Sequence, residues 1–216
     1  MLLSSIISNS SSMNYNSSIK SMLFSLNSKP YGLAYSQWIV KWWRWLLSIP
    51  KKNSPVLDLS GELVSERQVD PNVWFLAGTL GGHAFRRSNV PLGKAVLMPI
   101  INYESSFADE PGLTTEEQLT VKCKTEIDDI MDLWFSIDGL RFEDLSQYRI
   151  RSPLFDVDLC DNNILNLDKL TTKMISDGYW VFLKPLKTGS HKLISSGSCR
   201  SGKIKIGTTC DLYVHS

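Results

Sequence analysis

The sequence predicts an α+β domain: an antiparallel β-sandwich or jelly-roll-like sheet pair covered by two helices, at residues 36–48 and 114–132. Three observations predict it. The stretch "SQWIVKWWRWLLSIP" repeats its apolar residues with a helical period and stops at Pro50. A second helical stripe follows the capping signal in "TTEEQLTVKCKTEIDDI". From residue 72 onward, short apolar runs bounded by Pro and Gly recur at about ten-residue spacing, the cadence of sandwiches and jelly rolls.

Size and charge set the limits. At 216 residues the chain is long enough to bury a core as one domain, and 43% hydrophobic with 21% charged residues is the composition of a globular protein. A net charge of +1 excludes a general nucleic-acid binder, which needs a clustered excess of Lys and Arg. No apolar run reaches the roughly 18 residues that a spanning helix requires. The charge is unevenly placed: all 22 acidic residues follow Leu57, whereas Lys20, Lys29, Lys41, Arg44, Lys51 and Lys52 precede it with no acid among them.

Residues 1–29 are rich in Ser and Asn, carry only short apolar pieces, and contain the sequons at Asn9 and Asn16. Such a stretch cannot bury enough apolar surface to offset ordering, so it reads as a flexible leader ahead of one domain, 30–216. Ser and Asn break its apolar pieces, so it lacks the continuous apolar core of a secretory signal; it is closer to a transit peptide, although no Arg precedes Arg44. The cytoplasm is the default compartment on that reading.

On a helical wheel Trp38, Trp42 and Trp45 fall within about 60° of one another, and the whole apolar arc covers roughly 200°. Gln37, Lys41 and Arg44 fill the polar remainder. An arc that wide needs cover on more than one side, so the helix reads first as a lid over a sheet. Two alternatives stay open: Trp38 or Trp42 stacks on a flat ligand such as a sugar, or the helix lies on a membrane surface with its basic face outward. The elements Tyr31, Gly32, Tyr35, Trp38, Trp42, Trp43, Trp45 and Pro50, followed by "NVWFLAGTLGG", "VPLGKAVLMPIIN" and "DGYWVFLKPLKTGSHKL", resemble a family of uncharacterised microbial proteins. The resemblance implies one coherent domain and carries no activity.

Downstream, "NVWFLAGTL" and "KAVLMPII" read as buried strands, with "GGHAFRRSNVPLG" a polar loop between them. Thr114 and Glu117 form a capping box, and Leu119, Cys123, Ile127 and either Ile130 or Met131 make the stripe of the second helix. "LWFSIDGLRF" reads as a hairpin turning at Asp138-Gly139. In "YRIRSPLFDVDL" the apolar Phe155, Val157 and Leu159 alternate with Asp156 and Asp158 as in a half-exposed strand. The "YWVFLKPL", "SHKLISSG", "GKIKI" and "CDLYVHS" runs follow as strands, with a hairpin tip at Lys187, Thr188 and Gly189.

Motifs of strong mechanism are missing: no phosphate-binding Gly-rich loop, no G-x-S-x-G, no H-E-x-x-H and no paired C-x-x-C. Among Cys123, Cys160, Cys199 and Cys210, the pair Cys199 and Cys210 flanks a candidate hairpin and is the one disulfide expected. Glu126, Asp128, Asp129 and Asp132 read as a solvated helix face rather than a metal site. The stretch hardest to explain by packing is "PIINYESSFADEPG", where an apolar strand runs into Asn102, Tyr103 and Glu104, then Asp109 and Glu110, with Arg86 and Arg87 in the preceding segment.

The site expected is therefore ligand-binding and made of Trp38, Trp42, Arg87, Asn102, Glu104 and Asp109, with no cofactor. Its first reading is a non-catalytic binding or structural module for a carbohydrate, another extended ligand or a small molecule. The alternative is a hydrolase or metal-dependent jelly-roll enzyme that uses Glu104 and Asp109 with His83 and His191. A membrane-surface protein using the acid-free N-terminal region is the third.

Overall fold

The computed structural model describes residues 19–200, 202 and 204–216. It is an α+β sandwich of two sheets. The first sheet has the order β1-β3-β7-β6, where β1 is Val73–Phe75, β3 Ala95–Ser106, β6 Phe155–Asp158 and β7 Thr171–Leu183. The second runs β2-β9-β8-β4-β5, with β2 Gly82–Pro91, β4 Ile130–Ile137, β5 Leu140–Phe142, β8 Gly189–Cys199 and β9 Lys205–His215. Pairing is antiparallel except at one edge of each sheet, where β1 joins β3 and β2 joins β9 in parallel, so both sheets are mixed.

The tryptophan helix α1 is Tyr35–Leu47. The Gln37 side chain accepts the Ala34 N–H at its start, and the Ser48 hydroxyl donates to the Trp45 carbonyl at its end, just before Pro50. Its wide apolar arc is satisfied as the wheel requires: Trp38 packs edge-on to Phe182 at 5.6 Å, Trp42 to Trp180 at 5.1 Å, and Trp45 lies 5.4 Å from Phe75. Trp180 and Phe182 alternate along β7 and so share one face of the first sheet. The lid reading of this helix holds.

The opposite face of that sheet meets the second sheet and another helix. After a short turn of helix, α2 (Leu63–Glu66), the helix α3 spans Glu116–Asp128. Two capping frames overlap in its sequence, and the structure uses the second: the Thr115 hydroxyl accepts from the Gln118 N–H, and the Gln118 side chain accepts the N–H groups of Thr114 and Thr115. Leu119, Cys123 and Ile127 are buried, the first two against Ile175 of β7. The helix ends earlier than its sequence pattern suggests because Ile130 already belongs to β4, in which Asp132 takes a positive φ of 53°. Arg149 ties this corner together, pairing with Asp177 at 2.7 Å and Asp128 at 2.6 Å and donating to the Lys124 carbonyl.

Several expectations are corrected. The leader does not extend to residue 29: Ile19 and Leu23 are buried, and the segment joins the sheet through Phe24 N–H to the Phe182 carbonyl at 2.9 Å and Lys184 N–H to the Met22 carbonyl at 2.8 Å. Asn9, Asn16 and the rest of residues 1–18 lie outside the described residues. The supposed loop "GGHAFRRSNVPLG" holds strand β2, whose inward residues are Ala84, Arg86, Ser88 and Val90. No hairpin forms around Lys187 and Gly189, since β7 and β8 belong to different sheets and this segment crosses between them. The hairpin expected at Asp138-Gly139 does form, with Ile137 opposite Leu140 and positive φ at both turn residues. Cys199 and Cys210 do flank a hairpin, but Cys210 faces Leu193, six positions along β8 from Cys199, roughly 20 Å away on strand geometry. That pair cannot form a disulfide without re-registering the sheet.

One glycine fixes how β3 and β7 approach. A Cβ on Gly178 would sit 2.6 Å from both Cα and Cβ of Asn102 and 2.7 Å from the Ile101 carbonyl, all but one of them backbone atoms. Gly178→Ala is expected to cost about 1–3 kcal/mol by overpacking, read as a lower urea midpoint with an unchanged slope. A midpoint within error of the parent would mean that the two strands can separate freely there.

Candidate functional site

Strand β3 is where the sheet changes character. β1 covers its outer edge only from Ala95 to Leu97, and beyond that the edge is open. Pro99 follows, and the register slips between Pro99 and Ile101, leaving Ile100 as an extra residue against β7. A groove of about 550 Å³ runs along this open edge. Six consecutive residues of β3, Pro99 to Glu104, line it. Successive side chains of a strand point to opposite faces, so only a groove along the edge can touch all six. Trp42, Trp43 and Leu46 of α1 with Ile164 and Leu165 form one wall, and the end of α3 with Ile204 and Ile206 forms the other.

Three residues of the lining also carry polar atoms buried behind the groove surface. The Asn102 Nδ2, Glu104 Oε2 and Trp43 Nε1 atoms are buried and have no hydrogen-bond partner among the described residues. Each unsatisfied buried group costs about 1–3 kcal/mol. Burial, aided by the nearby charges of Asp109 and Glu110, pushes the Glu104 carboxyl up to about 8, so it is protonated at neutral pH. All ionisable side chains of the lining that bear a full charge when ionised are acidic: Glu104, Asp109, Glu126 and Asp129.

Four of the six expected site residues meet here, namely Trp42, Asn102, Glu104 and Asp109. Trp38 does not: it is 1% exposed, its indole N–H donates to the Pro30 carbonyl at 2.9 Å, and its ring is enclosed by the core. Arg87 points outward from β2 in the other sheet, beside a separate hollow lined by Ser60, Glu62 and Asp211. Trp43, Ile127, Asp129, Ile204 and Ile206 were not legible as site residues, because the groove that unites them exists only once α1, α3 and the β8–β9 tip are folded together.

The residues of the enzyme alternative do not converge. His83 bonds Thr209 at 2.9 Å on β2, His191 bonds Asp138 at 2.7 Å and the Lys187 carbonyl at the far end of β8, and Glu104 stands in the other sheet. Among the described residues no group of three His, Cys, Asp or Glu side chains is placed to hold a metal ion. Within the acid run, Glu126 pairs with Lys122 at 3.0 Å and Asp128 with Lys124 and Arg149, while Asp132 accepts from the Ser198 hydroxyl.

The membrane-surface alternative loses its helix as well. The apolar face of α1 is spent on the core, Lys41 pairs with buried Asp70 at 2.5 Å, and Arg44 donates to the Asp156 carbonyl. No helix among the described residues is long and apolar enough to cross a membrane.

No protein-family model matches the chain, and no curated protein does. Among solved structures it is similar to PbICP-C in its complex with falcipain-2, at 8% identity over 68% of this chain and 95% of that one, with a TM-score of 0.25. Likeness of that degree carries no inference about this chain.

Proposed function

We propose that this chain is a non-catalytic binding module that takes an extended, largely apolar ligand into the groove beside β3. The observation that carries the reading is a groove of ligand-sized volume along the open edge of β3, lined by apolar side chains with the carboxyl groups of Glu104, Asp109 and Asp129 among them. The lining favours the extended-ligand half of the original expectation over the carbohydrate half. Its walls are Ile, Leu, Pro and Trp edges, and the ring of Trp42 is 1% exposed, which leaves no open face for a sugar to stack on.

n-Octylammonium, n-octanol and n-octanoate test the reading by fluorescence titration. The ammonium is expected to bind best, since it meets only acids, and octanoate worst. Ile206→Trp, which fills the groove from a half-exposed wall position, is expected to weaken octylammonium at least tenfold. Unchanged binding in that variant would place the ligand elsewhere and sink the proposal.

The pH dependence follows from Glu104. A cation prefers the ionised carboxylate, which in the free protein is populated only as pH approaches about 8. Octylammonium affinity is therefore expected to rise by up to about tenfold per pH unit from pH 6 to 8 and then level off, while octanol affinity stays flat over that range. Parallel profiles for the two would show that Glu104 does not meet the ligand.

A further inference from the structure

The backbone of β3 says what kind of extended ligand fits. In β7, the Gly178 carbonyl accepts from the Ile150 N–H and the Ser176 carbonyl from the Ser152 N–H, both at 2.8 Å. These groups point away from β3. Gly178 and Ser176 stand opposite Asn102 and Glu104, so by antiparallel parity the N–H and C=O of Asn102 and Glu104 point away from β7, to the open edge. Tyr103 between them points the other way, and its carbonyl accepts the Ser176 hydroxyl at 2.9 Å. The groove thus presents two backbone donors and two backbone acceptors in the spacing of a strand ladder.

The edge is guarded everywhere else. Towards the start of β3, Pro99 and the extra residue Ile100 interrupt pairing. Towards the end, the Ser106 carbonyl is taken by the Glu110 N–H at 2.9 Å. Among the described residues the stretch of this edge left open is Asn102 to Glu104, and it lies in the groove.

Resting on the binding reading above, we infer that the occupant is a short extended polypeptide segment that adds to β3 as a further strand, with apolar residues against α1 and a Lys or Arg reaching the acids. Three observations select a peptide over a simple amphiphile. The backbone ladder recognises main-chain amides, which an alkyl chain lacks. Side chains of an added strand alternate between two faces, matching a groove whose walls stand on both faces of the sheet. Asp109 and Asp129 complement a cation on that strand, and Glu104 joins them once ionised.

The probe is the blocked peptide acetyl-Thr-Val-Thr-Lys-Val-Thr-Val-amide, compared with its Lys→Glu counterpart and with two isomers N-methylated at alternate residues, one at the odd and one at the even positions. In an added strand alternate N–H groups face β3 and the rest face away. One methylated isomer is therefore expected to lose at least tenfold in affinity while the other keeps it, and the Glu peptide is expected to bind at least tenfold more weakly than the parent. Ile206→Trp, which keeps the fold if its far-UV spectrum and melting temperature hold, is expected to weaken the parent peptide as it weakens octylammonium. Equal binding of the two isomers overturns strand addition. Octylammonium binding in the groove with no binding of any peptide overturns this inference and leaves the binding module standing. Failure of octylammonium and peptide alike removes both.

Discussion

Glu104→Gln is expected to stabilise the protein near neutral pH and to leave it unchanged in acid. The folded carboxyl is raised to about 8 from an ordinary value near 4.5, chiefly by burial. Below pH 4.5 folded and unfolded chains both hold the proton, and the substitution does nothing. Between 4.5 and 8 the unfolded chain releases a proton that the folded chain keeps, so the parent loses stability at about 1.4 kcal/mol per pH unit until the folded carboxyl itself ionises. Gln mimics the protonated acid and has no proton to release. The gain in the variant should grow from nothing near pH 4 to roughly 3 kcal/mol at pH 7, a rise in melting temperature on the order of 6–12 °C for a chain of this size. Urea midpoints of both proteins at pH 4 and pH 7 check it. A difference that does not widen with pH would mean that the carboxyl is already ionised and solvated in the folded state. The same variant should lose the pH dependence of octylammonium binding, which joins the stability cost of the site to its use. On the proposed reading an acid held neutral in an apolar groove is a stability cost kept for a ligand, and removing it is one of the changes in which stability and function part.

The sequence was most legible where one physical signal acted alone. The helix around Trp42 needed only a wide apolar arc and Pro50, and the turn at Asp138-Gly139 needed only two residues at ease with positive φ. It was least legible where burial is polar. Strand β2 alternates perfectly in the fold, but two of its four inward positions are Arg86 and Ser88, so the period of its apolar residues disappears and it reads as a loop. The candidate site shows the same division. Asn102, Glu104 and Asp109 stood out because polar residues ended an apolar strand, whereas Trp43 and Ile206 gain meaning only from the groove between them. Trp38 failed as a site residue for the reason that made the helix legible: the more completely an apolar arc is covered, the fewer of its rings remain for a ligand.

Arg86 gives the second large effect. It is 6% exposed, and among the described residues its guanidinium donates to backbone carbonyls and to no carboxylate. Nε donates to the Asp58 carbonyl at 2.7 Å, Nη1 to the Ala77 and Gly78 carbonyls at 2.5 and 2.8 Å, and Nη2 to the Val56 carbonyl at 3.3 Å. Those acceptors belong to two segments that make no ladder of their own, so one planar cation replaces a missing strand pairing and fastens both to β2. Gly78 also lines the groove, which links this clamp to the site. Arg86→Met matches much of the side-chain length but leaves four carbonyls without this donor, and is expected to cost about 1–3 kcal/mol for each of them that no other donor reaches. Arg86→Lys keeps the charge but not the fork that reaches both segments at once, and should recover only part of the loss. Urea unfolding of the three proteins decides it. If Met proved as stable as Arg, the buried cation would be a net burden that apolar packing replaces, and the segments around Val56 and Gly78 would owe their position to the hydrophobic core alone.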